Sequence, residues 1–308
     1  LVSLAGADDP AFGADGRATG SDAPAAGSDD PAAGLDDGAG LGIAARLTAQ
    51  QPVLLAAVLA ARAGAPLPVP DPGAGLAAGF LLQLTGREPS PRAAEIFDSC
   101  LVVQADHMMA ASTFAARVCA ATLADMRTAV VAGLAALSGR LHGGANEQVM
   151  RGLEAARASA RDVKGDPVDV AAELVTARLR GGADLSCQPV TGFGHRAYRG
   201  ADPRAGVLRE LSAELAAGGD DTYHRMATRI ADIVLAECGL HPNADFYAAT
   251  TYHYLGIPAG LATAVLSVAR MAGWTAHIIE QQADNRLIRP VGEYIGETGL
   301  TWTPLAGR

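Results

Sequence analysis

Apolar residues recur every three or four positions from Leu41 onward, which is the spacing of amphipathic helices. A first pair of helices is predicted on either side of Pro52, because proline suits the first turn of a helix and not its interior. The tail from Leu287 shows no such period and is predicted to be irregular. The further helices that the spacing predicts cover 76–85, 92–120, 121–137, 147–160, 168–180, 204–217, 222–238 and about 258–283.

The beginning of the chain breaks this pattern. Residues 8–40 consist almost entirely of Asp, Gly, Ala, Pro and Ser, and they offer little apolar surface to compensate for the entropy of ordering. We therefore expect a mobile acidic segment over 1–41. Eight Asp and one Arg lie within residues 1–40 and account for −7 of the formal charge of −9. The remainder is nearly neutral, so its arginines can still form a local anion site.

Composition narrows the fold class and the partners. Hydrophobic residues make up 49% of the 308 residues and aromatic residues only 5%, a mixture rich in Ala, Leu and Val that favours closely packed helices. The sequence has no Lys/Arg run, no apolar stretch of about 18 uninterrupted residues and no basic signal peptide. We expect an all-α cytoplasmic protein with no nucleic-acid partner and no membrane partner.

The cysteines do not indicate a metal or disulfide site. Cys100, Cys119, Cys187 and Cys238 are widely scattered, with no paired spacing and no matching histidines. We expect free thiols and no metal centre.

Several residues suited to acid–base chemistry lie where the helical pattern is interrupted. His142, His195 and Asp245 lie beside Gly or Pro, and His107 lies near a helix start. Loops held by rigid helices expose side chains to ligands, so these are candidate site residues. The alternative is that such histidines cap helices or fill the core. Residues 192–197 match the GxGxxA form of a dinucleotide fingerprint, but no buried strand precedes them, so we reject that interpretation.

Longer segments carry a family resemblance over essentially 42–308, with a weaker similarity in LVSLAGADDP at residues 1–10. They resemble the four signature regions of the citrate synthase family and its Ala-Asp-His segment. The segment after His107 differs, because Met108, Met109 and Ala110 stand where relatives commonly carry polar residues. The matching segments are LVVQADHMMAASTFAARV (101–118), SGRLHGGANEQVM (138–150), GFGHRAYRGADPR (192–204), HPNADFYAATTYHYLGIP (241–258) and ARMAGWTAHIIEQQADNRLIRP (269–290).

The resemblance implies an all-α, citrate-synthase-like fold of two domains. A large domain would consist of 42–148 and 257–308, and a smaller mobile domain of 149–256. Several helices of the family are expected before residue 1. The reaction would take place in the cleft between the domains, and closure would exclude water.

The resemblance also implies a role for each catalytic candidate. Asp245 matches the base that removes a proton from the methyl group of an acyl-CoA. His142 matches the donor to the thioester oxygen, where negative charge develops. His195 matches the group that polarises the ketone of oxaloacetate. Together the three would form one carbon–carbon bond.

Substrate binding is implied at further positions. His107, Arg204, Arg270 and Arg289 match oxaloacetate contacts, and Arg289 matches a residue that reaches the site of a neighbouring subunit, which implies a homodimer. Guanidinium groups suit carboxylates. Two alternatives stay open: Arg204 as a helix cap and Arg270 as a surface side chain.

The CoA side of the site is implied less specifically, at glycine-rich turns and helix N-termini that present free N–H groups. The candidates there are Asn146, Gly194 and Arg196.

The implied function is condensation of acetyl-CoA with oxaloacetate to give citrate and CoA, a reaction of the tricarboxylic acid cycle, with acyl-CoA as substrate and no tightly bound cofactor. A first alternative is 2-methylcitrate synthase, which uses propionyl-CoA and differs by one methylene. A second is a non-catalytic relative that binds CoA or carboxylates. Asp245 argues against the second, because a binding protein needs no base.

Overall fold

A computed structural model describes residues 37–71, 73–139, 141–181 and 190–307. Residues 1–36 of the predicted acidic segment and Cys187 lie outside this part. Within it the secondary structure is helical with no strand, which confirms the all-α class. The α-helices are α1 (Asp37–Ala63), α2 (Leu76–Thr85), α3 (Pro91–Gln104), α4 (Ala111–Ala120), α5 (Met126–Leu137), α6 (Ala145–Val163), α7 (Pro167–Arg180), α8 (Pro203–Ala216), α9 (Thr222–Cys238), α10 (Ala244–Tyr254) and α11 (Ala262–Ala283).

Two sequence predictions about α1 are wrong. The helix begins at Asp37, so 37–41 are helical and not part of a mobile segment. It also continues through Pro52 as one helix, although proline removes a backbone hydrogen bond. Ala44, Leu47 and Ala56 on both sides of Pro52 are buried. Packing on both sides therefore keeps the helix continuous.

The same helix bears on the expectation that the protein has no membrane partner. By length and composition, Gly40–Ala63 is long and apolar enough to cross a membrane, and 28% of its most apolar window is buried. Our expectation counted uninterrupted apolar residues, and Arg46 and Gln51 interrupt this stretch. The helix packs against α11 and α2. The absence of a membrane partner stays a prediction.

Helix α11 joins the two hydrophobic clusters of the core. Val265, Val268 and Ala269 belong to a cluster built mainly from α2, α3 and α6–α10. Met271, Trp274 and Ile278 belong to a second cluster with α1, α4 and α5. The described cysteines Cys100, Cys119 and Cys238 are free thiols. The predicted domain limits stay predictions, since the clusters do not test them.

Helix starts and short loops bring the candidate residues to the core. Asn243 caps α10 directly before its first buried residue, Ala244, and Asp202 caps α8. The loops before α4 and α6 carry His107 and His142. Arg270, whose charge acts on His107, His142 and Asp245, is buried in the middle of α11.

Candidate active site

Asp245 lies in the first turn of α10. Its backbone N–H donates to the Asn243 side chain (3.1 Å), and its carbonyl accepts from the Asn146 side-chain amide (3.2 Å). Burial raises the pKa of the carboxyl to about 6, against the opposing charges of Arg204 and Arg270, while the charge of Asp202 raises it slightly further. A carboxyl with this pKa is ionised at neutral pH and is more basic than an ordinary aspartate.

His142 is held in the turn between α5 and α6. Its Nε2 accepts from the backbone N–H of Ser112 (3.3 Å) and lies 2.8 Å from the Ser112 hydroxyl, which in turn accepts from the Trp274 indole N–H (3.1 Å). Burial, and then the charge of Arg270, lower the pKa of the imidazole, so it is neutral near pH 7. With Nε2 accepting, the proton is assigned to Nδ1, which makes Nδ1–H the available donor.

The glycine after His142 is required by close packing. A Cβ at Gly143 would lie 2.5 Å from the Leu137 carbonyl and 2.6 Å from a Thr263 methyl group. The Gly143 carbonyl accepts from the Thr263 hydroxyl (2.7 Å). The turn is therefore fixed to the start of α11.

His195 follows two glycines with positive φ. A Cβ at Gly192 (φ 89°) would lie 2.8 Å from Val149 and 2.9 Å from Phe246, so no other residue fits. Nδ1 of His195 accepts from the backbone N–H groups of Ala197 (2.9 Å) and Tyr198 (3.3 Å). Burial and then the charge of Arg204 lower the pKa of the ring. The neutral tautomer therefore carries its proton on Nε2, which is the available donor.

His107 packs against this histidine. The ring centroids of His107 and His195 are 4.6 Å apart at 89°, and His107 Nε2 lies 3.2 Å from the Tyr198 hydroxyl. Burial, followed by the charge of Arg204, lowers the pKa of His107 to about 4. Support for this ring comes from Tyr198, and not from the Met108 to Ala110 segment that differs from relatives.

Two arginines supply the positive charge of the site. Nε of Arg270 donates to the Gln104 carbonyl (2.9 Å) and the side chain is buried, so this residue is not a surface arginine. Arg204 is bound bidentately by Asp202, through Nε to Oδ1 (3.0 Å) and Nη2 to Oδ2 (2.8 Å). The helix cap of α8 is Asp202 and not Arg204.

Electrostatic interactions join most of the predicted residues into one group. The charge of Arg270 acts on His142, His107 and Asp245. The charge of Arg204 acts on His195, His107 and Asp245. The structure thus brings together His107, His142, His195, Arg204, Asp245 and Arg270.

Other predicted residues lie apart from this group or at its edge. Arg289 is exposed in the irregular tail, and Arg196 is exposed beside His195. Asn146 is buried against Asp245, and Gly194 donates its N–H to the His241 carbonyl (2.8 Å). Among the described residues, no three His, Cys, Asp or Glu side chains are arranged to hold a metal ion.

The sequence analysis missed four residues that hold the candidates in place: Ser112, Tyr198, Asp202 and Trp274. Each lies inside a segment that carried the family resemblance. Apart from the local pair of Asp202 and Arg204, these contacts cross large separations in sequence, for example 162 positions between Ser112 and Trp274. No local spacing could have identified those pairs.

Comparisons with known proteins identify the family of the chain. The family model for the citrate synthase C-terminal domain matches residues 18–291. Citrate synthase from Haloferax volcanii is 44% identical over 266 residues, covering 86% of this chain and 67% of that protein. 2-Methylcitrate synthases also occur among the matching relatives.

Solved structures give the same result. The crystal structure of citrate synthase from Pyrobaculum aerophilum has a TM-score of 0.76 and 36% identity, covering 88% of this chain and 65% of that one. The citrate synthase from Thermoplasma acidophilum, solved as a ternary complex with carboxymethyl coenzyme A and oxaloacetate, has a TM-score of 0.75 and 28% identity, covering 86% of this chain and 68% of that one. The chain spans about two thirds of the length of these proteins. The chain belongs to the citrate synthase family.

Proposed function

We propose that the chain condenses acetyl-CoA with oxaloacetate and water to give citrate and CoA. The observation that supports this most directly is the grouping of Asp245 with three imidazoles of lowered pKa and two arginines. A thioester methyl group is a weak acid, so its deprotonation needs a base and a donor that act together. The site offers both.

The first step forms an enolate equivalent. The Asp245 carboxylate takes a proton from the methyl carbon, and the electron pair moves onto the thioester oxygen. Nδ1–H of His142 donates a hydrogen bond to that oxygen as charge develops. Because the imidazole is held by Ser112 on its other nitrogen, it keeps this orientation without further ordering.

The second step forms the carbon–carbon bond. The methyl-derived carbon attacks the ketone carbon of oxaloacetate, and the ketone oxygen takes the Nε2 proton of His195 and becomes a hydroxyl. Proton exchange with water then returns Asp245 and His195 to their starting states. The product of this step is citryl-CoA. Water then cleaves the thioester to release citrate and CoA, which balances the reaction.

Oxaloacetate is a dianion, and Arg204 and Arg270 offer guanidinium groups for its carboxylates. Burial, and then the charge of Arg204, lower the pKa of Arg270, as expected where two cations are held together before an anion binds. His107 contributes a further polar contact. The Thermoplasma acidophilum enzyme is named as a complex with oxaloacetate and a CoA analogue, which supports the same two ligands here. Asn146, Gly194 and Arg196 are the proposed CoA contacts.

The second candidate function is 2-methylcitrate synthesis from propionyl-CoA, supported by the relatives that carry that name. One methylene changes binding in a pocket by about 1–3 kcal/mol. The two activities therefore share one mechanism and are distinguished by the ratio of kcat/KM for acetyl-CoA to kcat/KM for propionyl-CoA.

The proposal includes a homodimer, domain closure around the substrates and a cytoplasmic location. Exposed apolar side chains on α4 and α5, Phe114 and Val131, support a subunit contact. Arg289 is exposed in the irregular tail, which is compatible with a contact to a neighbouring subunit. Cell fractionation tests the location.

A thiol-release assay tests the activity. Purified protein with oxaloacetate and either acetyl-CoA or propionyl-CoA is expected to release CoA, with the higher kcat/KM for acetyl-CoA. Asp245→Ala should abolish release and leave oxaloacetate binding measurable by calorimetry, whereas Arg270→Leu should weaken that binding first. A folded dimer that binds ligands but shows no rate with either acyl-CoA would favour the non-catalytic alternative.

A further inference from the structure

Asp202 is a buried carboxylate whose hydrogen-bonding capacity is filled. Its side chain is nearly inaccessible, 1% exposed. Oδ1 accepts from the backbone N–H (3.0 Å) and Nε (3.0 Å) of Arg204. Oδ2 accepts from Nη2 of Arg204 (2.8 Å) and from the backbone N–H of Ala244 (3.0 Å). A simple helix cap needs only the first of these bonds.

The additional bonds connect two parts of the site. Nε and Nη2 form one edge of the Arg204 guanidinium, and Asp202 occupies this edge, so the N–H groups of Nη1 and the second N–H of Nη2 are left for a carboxylate of the substrate. Ala244 is the first residue of α10 and precedes Asp245. One carboxylate therefore fixes both the substrate arginine and the start of the helix that carries the base.

Asp202 also acts on the site through its charge. Burial opposes its ionisation, but the hydrogen bonds and charge of Arg204 and the N–H of Ala244 outweigh burial and keep its pKa below the ordinary value. As an anion it raises the pKa of Asp245, while Arg204 and Arg270 lower it. Loss of this charge would therefore lower the pKa of the base.

On the basis of the function proposed above, we propose that Asp202 is a positioning residue for the condensation, which orients Arg204 towards oxaloacetate and couples it to the N-terminus of α10. This role is distinct from capping α8. Asp202 contacts no reacting atom, and its influence passes through Arg204 and Asp245.

The chain contains a matched control in Asp166. It caps α7, is followed by Pro167 and accepts from the backbone N–H of Val168 (2.7 Å), as Asp202 is followed by Pro203 and accepts from Arg204. Asp166 is exposed, and among the described residues its side chain is bonded neither to an arginine nor to a second helix. Asparagine still accepts the capping bond, so Asp166→Asn reports the loss of the charge at a helix cap alone.

The experiment compares Asp202→Asn with Asp166→Asn in the full chain. Asp202→Asn is expected to raise KM for oxaloacetate and the calorimetric Kd at least about tenfold, because a charged bidentate pair is lost. The acid limb of kcat/KM should also move to lower pH. Asp166→Asn should change neither, although both variants lower the melting temperature. Equal affinity and an unmoved limb in folded Asp202→Asn would overturn the proposal.

A second variant covers the case in which Asp202→Asn does not fold. Asp202→Glu keeps the charge and displaces the carboxylate, so it should raise KM while the acid limb stays in place. Wild-type KM in this variant would equally overturn the positioning role. Calorimetric binding of oxaloacetate needs no turnover. If the wild type is inactive, the proposed condensation is rejected, and the comparison of Kd values still tests the role of Asp202.

Discussion

At the scale of single residues, Asp245 sets the pH dependence of the proposed reaction. Burial raises the pKa of its carboxyl to about 6, and only the ionised form can accept the methyl proton. Activity is therefore present above this pKa and lost as the pH falls through it. We expect kcat/KM for acetyl-CoA, measured from pH 4.5 to 9 at saturating oxaloacetate, to fall below about pH 6. An acid limb at the ordinary aspartate value, near 4, would show that Asp245 is not the base.

Ser112 provides a second residue-scale prediction, because its hydroxyl lies between Trp274 and Nε2 of His142. Ser112→Ala removes this group but keeps the weaker backbone N–H contact at 3.3 Å. We expect kcat to fall about tenfold, which corresponds to about 1.4 kcal/mol, with KM for oxaloacetate nearly unchanged. Steady-state kinetics with both substrates measures the two effects separately.

Ser212 is the matched control for that variant. It is a buried serine that also contacts a histidine, with its hydroxyl 3.1 Å from Nδ1 of His224, outside the candidate site. Ser212→Ala should cost stability without lowering kcat. A similar fall in kcat in both variants would mean that the loss reflects general packing and not the orientation of His142.

These residues also show what sequence reasoning could reach. The motifs identify His142, His195 and Asp245 because these residues and their glycine or proline neighbours lie close together in the chain. Asp202 and Tyr198 were within the quoted segments but had no visible role, since Ala244 and His107 approach them only after folding. The tautomer of each histidine is likewise set by partners that no local pattern identifies.

At the scale of elements, helix α11 holds the segment before His107 along its length. Nε of Arg270 donates to the Gln104 carbonyl (2.9 Å), and the N–H of Gly273 donates to that of Ala105 (3.1 Å). Further along, Nε2 of His277 lies 3.2 Å from the Asp106 carboxylate. Residues one turn apart on a helix thus bind successive residues of one loop. The orientation of His107 depends on this contact.

Gly273 makes the close approach possible. A Cβ there would lie 2.3 Å from the Ala105 carbonyl oxygen and 2.9 Å from the Asp106 side chain. The first contact can be relieved only by moving the backbone of the helix or of the loop. We expect Gly273→Ala to raise KM for oxaloacetate more than about tenfold and to lower the free energy of unfolding by about 1–3 kcal/mol. Kinetics and denaturant unfolding measure the two losses.

Gly152 is the matched helical glycine, in α6, with no atom within 4 Å of an added Cβ. Gly152→Ala should leave KM unchanged and stabilise the protein by about 0.5–1 kcal/mol, since alanine is the better helix former. The argument for α11 fails if Gly273→Ala behaves in the same way.

Helix prediction itself succeeded where the apolar period was regular and failed where packing decided the outcome. The limits of α2 and α9 agree with the predicted 76–85 and 222–238. The sequence predicts a helix boundary at Pro52, because local helix preference carries no information about the burial of residues on both sides.

At the scale of the whole molecule, several large apolar side chains are exposed outside the two core clusters. The irregular tail after α11 exposes Leu287, Val291 and Ile295, the last at 92%. Scattered apolar residues are ordinary on a surface, but a run of them in one segment favours contact with another surface. The same tail carries Arg289. A second subunit would bury these side chains and could receive the arginine.

A mixing experiment tests whether the arginine serves the neighbouring site. Asp245→Ala and Arg289→Ala are each expected to be nearly inactive alone. If Arg289 acts across the interface, a hybrid dimer has one site with both defects and one site with neither. Random assembly makes about half of the dimers hybrid, so the mixture should recover about a quarter of wild-type activity. If Arg289 acted within its own chain, every site would keep one defect, and the mixed sample would show only the average of its two parents.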